Sequence, residues 1–262
     1  MRKLLLLLFT INFSLSTSLA QKAVIEDYTV DINCDSPTHA IQHFRTVTTI
    51  LNEHGSSLAL FVCSSSKIDK LISFKGMVND SSGRMIRKFK ESELKRTEFS
   101  PYLAIDECRM YLDYTPPVYP ITITYEWTID SKDNRIEFPP FNPLTDYDVC
   151  VKHASYRLKA PKSLNIRHAM QNINGAPINV NDYSSDARVF SLELHDLPML
   201  KKEPYARPFH ERIPVAWFAP SQFTYYGIQE AFTTGEVMDN GNMTSYVDST
   251  VCQQQYVRNY IS

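Results

Sequence analysis

Residues 121–130 read Ile-Thr-Ile-Thr-Tyr-Glu-Trp-Thr-Ile-Asp, and this stretch decides the fold class. Ile121, Ile123, Tyr125, Trp127 and Ile129 alternate without a break with Thr122, Thr124, Glu126, Thr128 and Asp130. A side-chain period of two puts the first set on one face of a strand and the second on the other. Working outward, Phe190, Leu192 and Leu194 alternate with Ser191, Glu193 and His195 in the same way. Ala154, Tyr156 and Leu158 form a third face, and Ile72, Phe74 and Val78 a fourth. The β-branched run Thr46 to Leu51 suits a strand as well.

Turn chemistry separates these runs. Asn79-Asp80-Ser81-Ser82-Gly83 and Ser184-Ser185-Asp186 mark turns, and Asn174-Gly175 is the strongest short hairpin signal. Prolines cluster at 116–120, 139–143 and 198–214 and exclude long helices there. No segment sustains a helical period. The expected fold is all-β, a large antiparallel β-sandwich-like module.

The N-terminus carries a different signal. Arg2 and Lys3 precede an apolar run from Leu4 to Phe9, and Ser18-Leu19-Ala20 supplies small residues at a cleavage position. Residues 1–20 are therefore expected to be a secretory signal peptide, with the mature chain starting near Gln21. The apolar run is shorter than the ~20 residues a spanning helix needs, and no later stretch is longer. No membrane span is expected after signal removal. The expected location is periplasmic or extracellular. Residues 21–234 form the expected module, with a soft boundary near Pro161 that would split it into two sub-domains. Residues 235–262 read as a polar, poorly ordered tail.

A net charge of −2 gives no basic footprint for nucleic acid. The basic stretch Arg84 to Arg96 is interleaved with Glu91 and Glu93, which suits a solvated strand and loop. Cys34, Cys63, Cys108, Cys150 and Cys252 are widely spaced and contain no CxxC, so a zinc site is not expected. One or two disulfides stay open in an oxidising compartment, and buried free thiols are the preferred reading. His39 and His43 have helical metal-ligand spacing, but on a strand they stand roughly 13 Å apart, too far for one ion. No HExxH, no G-x-S-x-G and no glycine-rich phosphate loop is present. No catalytic residue, metal ligand or cofactor is expected. The aromatic and proline clusters around Tyr114, Tyr119, Trp217 and Phe218 invite a ligand-contact reading, against the competing reading of core packing.

Several segments, taken in order, resemble a bacterial family of unknown function. They are Ala40 to Gly55, Phe74-Lys75-Gly76 through Gly83, Pro120 to Glu126, Tyr156 to Pro161, Glu211 to Pro214 with Ala219-Pro220, and Phe223-Thr224-Tyr225. The resemblance spans roughly residues 23–246. In exported proteins of that family the domain lies between a signal peptide and a transglutaminase-like domain, and the resemblance implies a β-sandwich-like module without catalytic residues of its own. Cys252 is followed by no histidine and all seven histidines lie upstream of it, so activity by a transglutaminase-like cysteine, histidine and aspartate set is not expected of this chain.

Three functions are expected in order. The first is a non-catalytic exported module that binds a protein, peptide or glycan of the cell envelope. The second is a thiol-dependent hydrolase or transferase using Cys34, Cys63, Cys108 or Cys150. The third is a structural companion to a separately encoded catalytic domain.

Overall fold

The computed structural model describes residues 21–98, 108–132, 138–225 and 228–231. The expected signal peptide, the polar tail and Cys252 lie outside these residues. The all-β expectation holds: the described helices are short, among them α1 (Phe209–Arg212) at four residues and a 3-10 segment, Glu53–Ala59, at seven.

The main sheet has eight strands. In spatial order they are β11 (Asn179–Asp182), β12 (Ala187–Leu197), β9 (Val149–Pro161), β1 (Ala23–Ser36), β2 (His39–Ile50), β8 (Ile121–Lys132), β4 (Asp69–Asp80) and β5 (Met85–Lys90). The expectation of a wholly antiparallel sheet needs one correction. β1 pairs with β9 in parallel, from Ala23 opposite Val149 to Asn33 opposite Lys159. The other pairings in this sheet are antiparallel.

One face of this sheet is apolar and covered. Its second layer comes in two pieces, which is how the sandwich is realised. A two-stranded sheet of β10 (Ile166–Gln171) and β13 (Val215–Pro220) covers one half. There Phe218 stacks on Tyr156 with ring centroids 4.5 Å apart and planes 7° from parallel. A three-stranded sheet of β3 (Phe61–Ser65), β7 (Cys108–Leu112) and β6 (Lys95–Glu98) belongs with the other half. There Phe61 meets Phe74 at 4.4 Å and Tyr125 at 5.4 Å. Two buried clusters result, and Trp127 packs against both. The remaining described strands are β14 (Gln222–Tyr225) and β15 (Ile228–Ala231), which pair with each other.

The soft boundary near Pro161 does not divide the module. β9 and β12 lie on either side of it in sequence and are neighbours in one sheet. The first cluster draws on both, from Ala23 through Phe218.

Two turn readings hold. Asp80 accepts hydrogen bonds from the backbone of Ser82 and Arg84, and Gly83 adopts φ 81°, closing the β4–β5 hairpin. Ser184 closes the β11–β12 turn through the backbone N–H groups of Asp186 and Ala187. Asn174-Gly175 behaves otherwise. Gly175 has the positive φ of a turn, but the strands around it, β10 and β11, belong to different sheets, so no hairpin forms. Ile72 is also corrected: a register irregularity between Leu71 and Ser73 turns Leu71 inward and leaves Ile72 exposed.

A second irregularity positions the site. In β1 the inward residues are Ala23 and Ile25, and after Glu26 they are Val30 and Ile32. In β9 the inward set changes phase between Val151 and Ala154. In β12 it changes after Leu194, at Asp196, whose φ is 50°. The three phase changes lie side by side across the sheet. In β1 the change is a bulge against β2, with an extra residue between Ile25 and Asp27. β9 and β12 follow it without a register shift, so that the side chains beyond are re-aimed together. Without them Asp27 and His153 would continue the inward sets of Ile25 and Val151; with them both face outward.

Candidate functional site on the open face of the sheet

The opposite face of the main sheet is polar because the same strands alternate. Its side chains form rows across the strands. Arg45 on β2 lies between two carboxylates, ion-paired with Asp27 on β1 and 3.3 Å from Glu126 on β8. Arg157 Nη1 donates to Asp31 Oδ1 at 2.9 Å. Ser73 donates to the Thr128 hydroxyl at 3.0 Å, and His43 Nδ1 lies 3.0 Å from the same oxygen. A shallow cavity of about 240 Å³ opens here, with Thr29, Asp31, His43, Arg45, Lys75 and Glu126 among its lining. Among the described residues Lys75 has no ion-pair partner, so the cavity holds one uncompensated cation beside its matched pairs.

At the phase changes, His153 and His195 sit directly opposite each other on β9 and β12. Their ring centroids are 5.1 Å apart. His153 Nδ1 lies 2.6 Å from Asp27 Oδ1, and Glu193 Oε2 lies 3.8 Å from His195 Nε2. His153, Glu193 and His195 each bring one donor atom within 4.8 Å of the other two. The sequence reading places Glu193 and His195 on a polar strand face and does not connect them to His153. The missing signal is the pairing register of two distant strands.

His39 and His43 lie on the same strand, and each has its own partners. His39 bridges Asp35 at 2.8 Å and Asp130 at 3.0 Å. Hydrogen bonding to Asp35 first, and to Asp130 second, raises His39 above its ordinary value of 6.5. Asp130 is lowered from 3.8, chiefly by Lys132 and then by His39. A raised histidine contributes stability that is complete below its unfolded value and lost as the pH rises through the folded one. A lowered carboxylate contributes above its unfolded value and loses that contribution as the pH falls through the folded one. The pair is therefore most stabilising between about pH 3.8 and 6.5. In an NMR titration His39 should show a midpoint above 6.5 that falls back toward the ordinary value in Asp35→Asn. An unshifted wild-type midpoint would contradict the bridge.

The four aromatic candidates do not converge. Phe218 is buried in the first cluster, and Trp217 packs against that cluster. Tyr114 and Tyr119 pack against the second cluster, Tyr114 edge-on to Phe89 at 5.2 Å. None lies in the cavity on the open face.

None of the four described thiols lines the cavity on the open face. Cys34, Cys63, Cys108 and Cys150 are free, and the first three are buried. Burial pushes Cys34 and Cys63 up to about 12. Cys150 is also raised, mainly by desolvation, and its sulfur lies 2.9 Å from Gln21 Nε2. A reactive thiol needs the opposite shift.

A family model matches residues 38–201, more than half of the chain: Domain of Unknown Function with solved-structure structure, DUF3857. The chain belongs to this family. The matched span of the DUF3857 domain runs from the end of the β1–β2 turn to just beyond β12, so it includes His43, Arg45, His153 and His195. No curated protein matches the sequence. Among solved structures, a candidate protease from Parabacteroides distasonis ATCC 8503 is similar with a TM-score of 0.64 and 10% identity, over 76% of this chain and 40% of that one. The chain thus spans well under half the length of that protein. An M1 zinc metallopeptidase from Deinococcus radiodurans (TM-score 0.33, 7% identity, 86% of this chain and 51% of that) is much more distant. So is a candidate nutrient-binding protein from Legionella pneumophila (0.31, 10%, 78% and 68%). At those scores neither bears on the fold. No helix among the described residues is long and apolar enough to cross a membrane.

Proposed function

We propose that this DUF3857 domain is a non-catalytic exported binding module that engages a hydrophilic partner of the cell envelope, a glycan or a peptide, through the open face of its main sheet. The observation that carries this reading is the cavity on that face. Hydroxyl, imidazole and charged groups of four adjacent strands converge there around the uncompensated Lys75. Such a surface recognises by directed hydrogen bonds and charge rather than by apolar burial. The signal-like N-terminus supports export. The upward-shifted thiols weigh against thiol catalysis.

Glycan and peptide arrays probed with the full chain test the reading. Binding to one ligand class is expected, and Lys75→Glu and Arg45→Glu should each reduce it at least tenfold, with the unfolding midpoint left in place by Lys75→Glu. Absence of binding to either array, or binding indifferent to both substitutions, would sink it.

One observation favours a second reading. A similar fold occupies 40% of a longer candidate protease. The module would then serve as a structural companion to a catalytic domain, in line with the transglutaminase-like context that the resemblance implies. Co-purification with such a domain through the open face would support it.

A further inference from the structure

The structure assigns to His153, His195 and Glu193 a divalent-cation site of the zinc class on the open face, with Asp27 positioning the first histidine. The three donor atoms come from two hydrogen-bonded strands and share one face, all within 4.8 Å of one another. Zinc bonds of about 2.0–2.2 Å hold tetrahedral donors about 3.3 Å apart, so closing the set requires small side-chain rotations. Two of the three side chains are free to make them: His195 and Glu193 are 61% and 66% exposed.

His153 is prepared for the role. Asp27 is a carboxylate and can only accept, so Nδ1 of His153 carries the proton and Nε2 presents its lone pair. Asp27 is itself held, by Arg45 and by the Thr29 hydroxyl at 3.2 Å. An oxygen acceptor on the far nitrogen is what fixes the ring and tautomer of a metal-binding histidine. Nearby positive charge is already matched: Lys152 pairs with Glu26 at 2.6 Å, and Arg45 with Asp27 and Glu126.

Access is open as well. β11 pairs only with Arg188 to Ser191 of β12, so Glu193 to Leu197 form a free edge among the described residues. The phase changes in β1 and β9 are what turn Asp27 and His153 to this face. Three protein ligands leave a further coordination position to water or to a donor from a partner. Asp27 is engaged by three partners, His153, Arg45 and Thr29, and is not free to act as a general base.

The test is calorimetric titration of the full chain with Zn²⁺ alone, with Co²⁺ as a spectroscopic stand-in. One equivalent of Zn²⁺ should bind and raise the unfolding midpoint. His195→Ala and Glu193→Gln should each weaken binding by 100-fold or more without moving the metal-free midpoint, because both side chains are exposed. Asp27→Asn should weaken it about 10–100-fold, as loss of an orienting carboxylate does. Bound Co²⁺ should give visible ligand-field bands without the near-ultraviolet bands of thiolate ligation. Failure of the wild type to bind Zn²⁺, binding unchanged in His195→Ala, or thiolate bands would each overturn the assignment. Array binding lost on Lys75→Glu with Zn²⁺ binding intact would separate this site from the cavity.

Discussion

Tyr156→Ala should destabilise the protein by about 3–5 kcal/mol, whereas Tyr156→Phe should leave it unchanged or stabilise it by about 1 kcal/mol. The first figure follows from position. Tyr156 is 1% exposed, stacks on Phe218 and lies 5.6 Å from Phe141. Removing the ring empties the junction between the main sheet and its β10–β13 cover. At roughly 2–4 °C per kcal/mol for a chain of this size, the midpoint should fall by about 10 °C. The second figure follows from the hydroxyl. It is buried and has no hydrogen-bond partner, so the folded state carries its desolvation cost. Chemical denaturation of both variants measures the contrast. A loss of more than 1 kcal/mol in Tyr156→Phe would mean that the hydroxyl is satisfied, and the desolvation cost would have to be given up.

The second large effect is expected at Phe61. Its ring meets Phe74, Tyr125 and Trp127 at 4.4, 5.4 and 5.2 Å. It is the main anchor of the three-stranded cover, and Phe61→Ala should cost about 3–5 kcal/mol. The form of the transition is as informative as its size. Both clusters line one face of one sheet and share Trp127. Phe61→Ala should therefore shift a single cooperative transition, with near- and far-ultraviolet circular dichroism coincident. Two separated steps, the later one at the wild-type midpoint, would show the clusters to be independent folding units.

Some of this architecture is legible in the sequence, and the reasons are local. β8 is readable because its faces are one-sided along its length, and the turns at Asp80–Gly83 and Ser184–Asp186 carry their own hydrogen-bonding side chains. β1 is not readable. The extra residue at Glu26 breaks its alternation, so Ala23 and Ile25 fall out of step with Val30 and Ile32. Asn174-Gly175 supplies a turn but cannot specify what the flanking strands pair with. Phe218 and Trp217 invite a ligand reading from composition, and only packing sends Phe218 inward. The cluster at His153 is illegible for a related reason. Each of its residues looks like an ordinary outward position, and only the register between β9 and β12 and the phase changes across β1, β9 and β12 bring them together.

The parallel pairing of β1 with β9 has a consequence for how the chain is born. Synthesis runs from the N-terminus, and β1 can meet β2 at once through a short turn. Its other edge must wait for β9: residues that end up in contact, such as Asp27 and His153, stand 126 positions apart. Contacts of such separation form late because a long loop must close first. Throughout that interval β1 presents an unpaired strand edge whose apolar residues, Ile25, Val30 and Ile32, are still uncovered on one side. An edge of that kind recruits other chains. In the growing polypeptide β9 is thus the closing stave, and until Val149 and the residues after it are made, that edge of β1 lacks the strand it pairs with in the finished sheet.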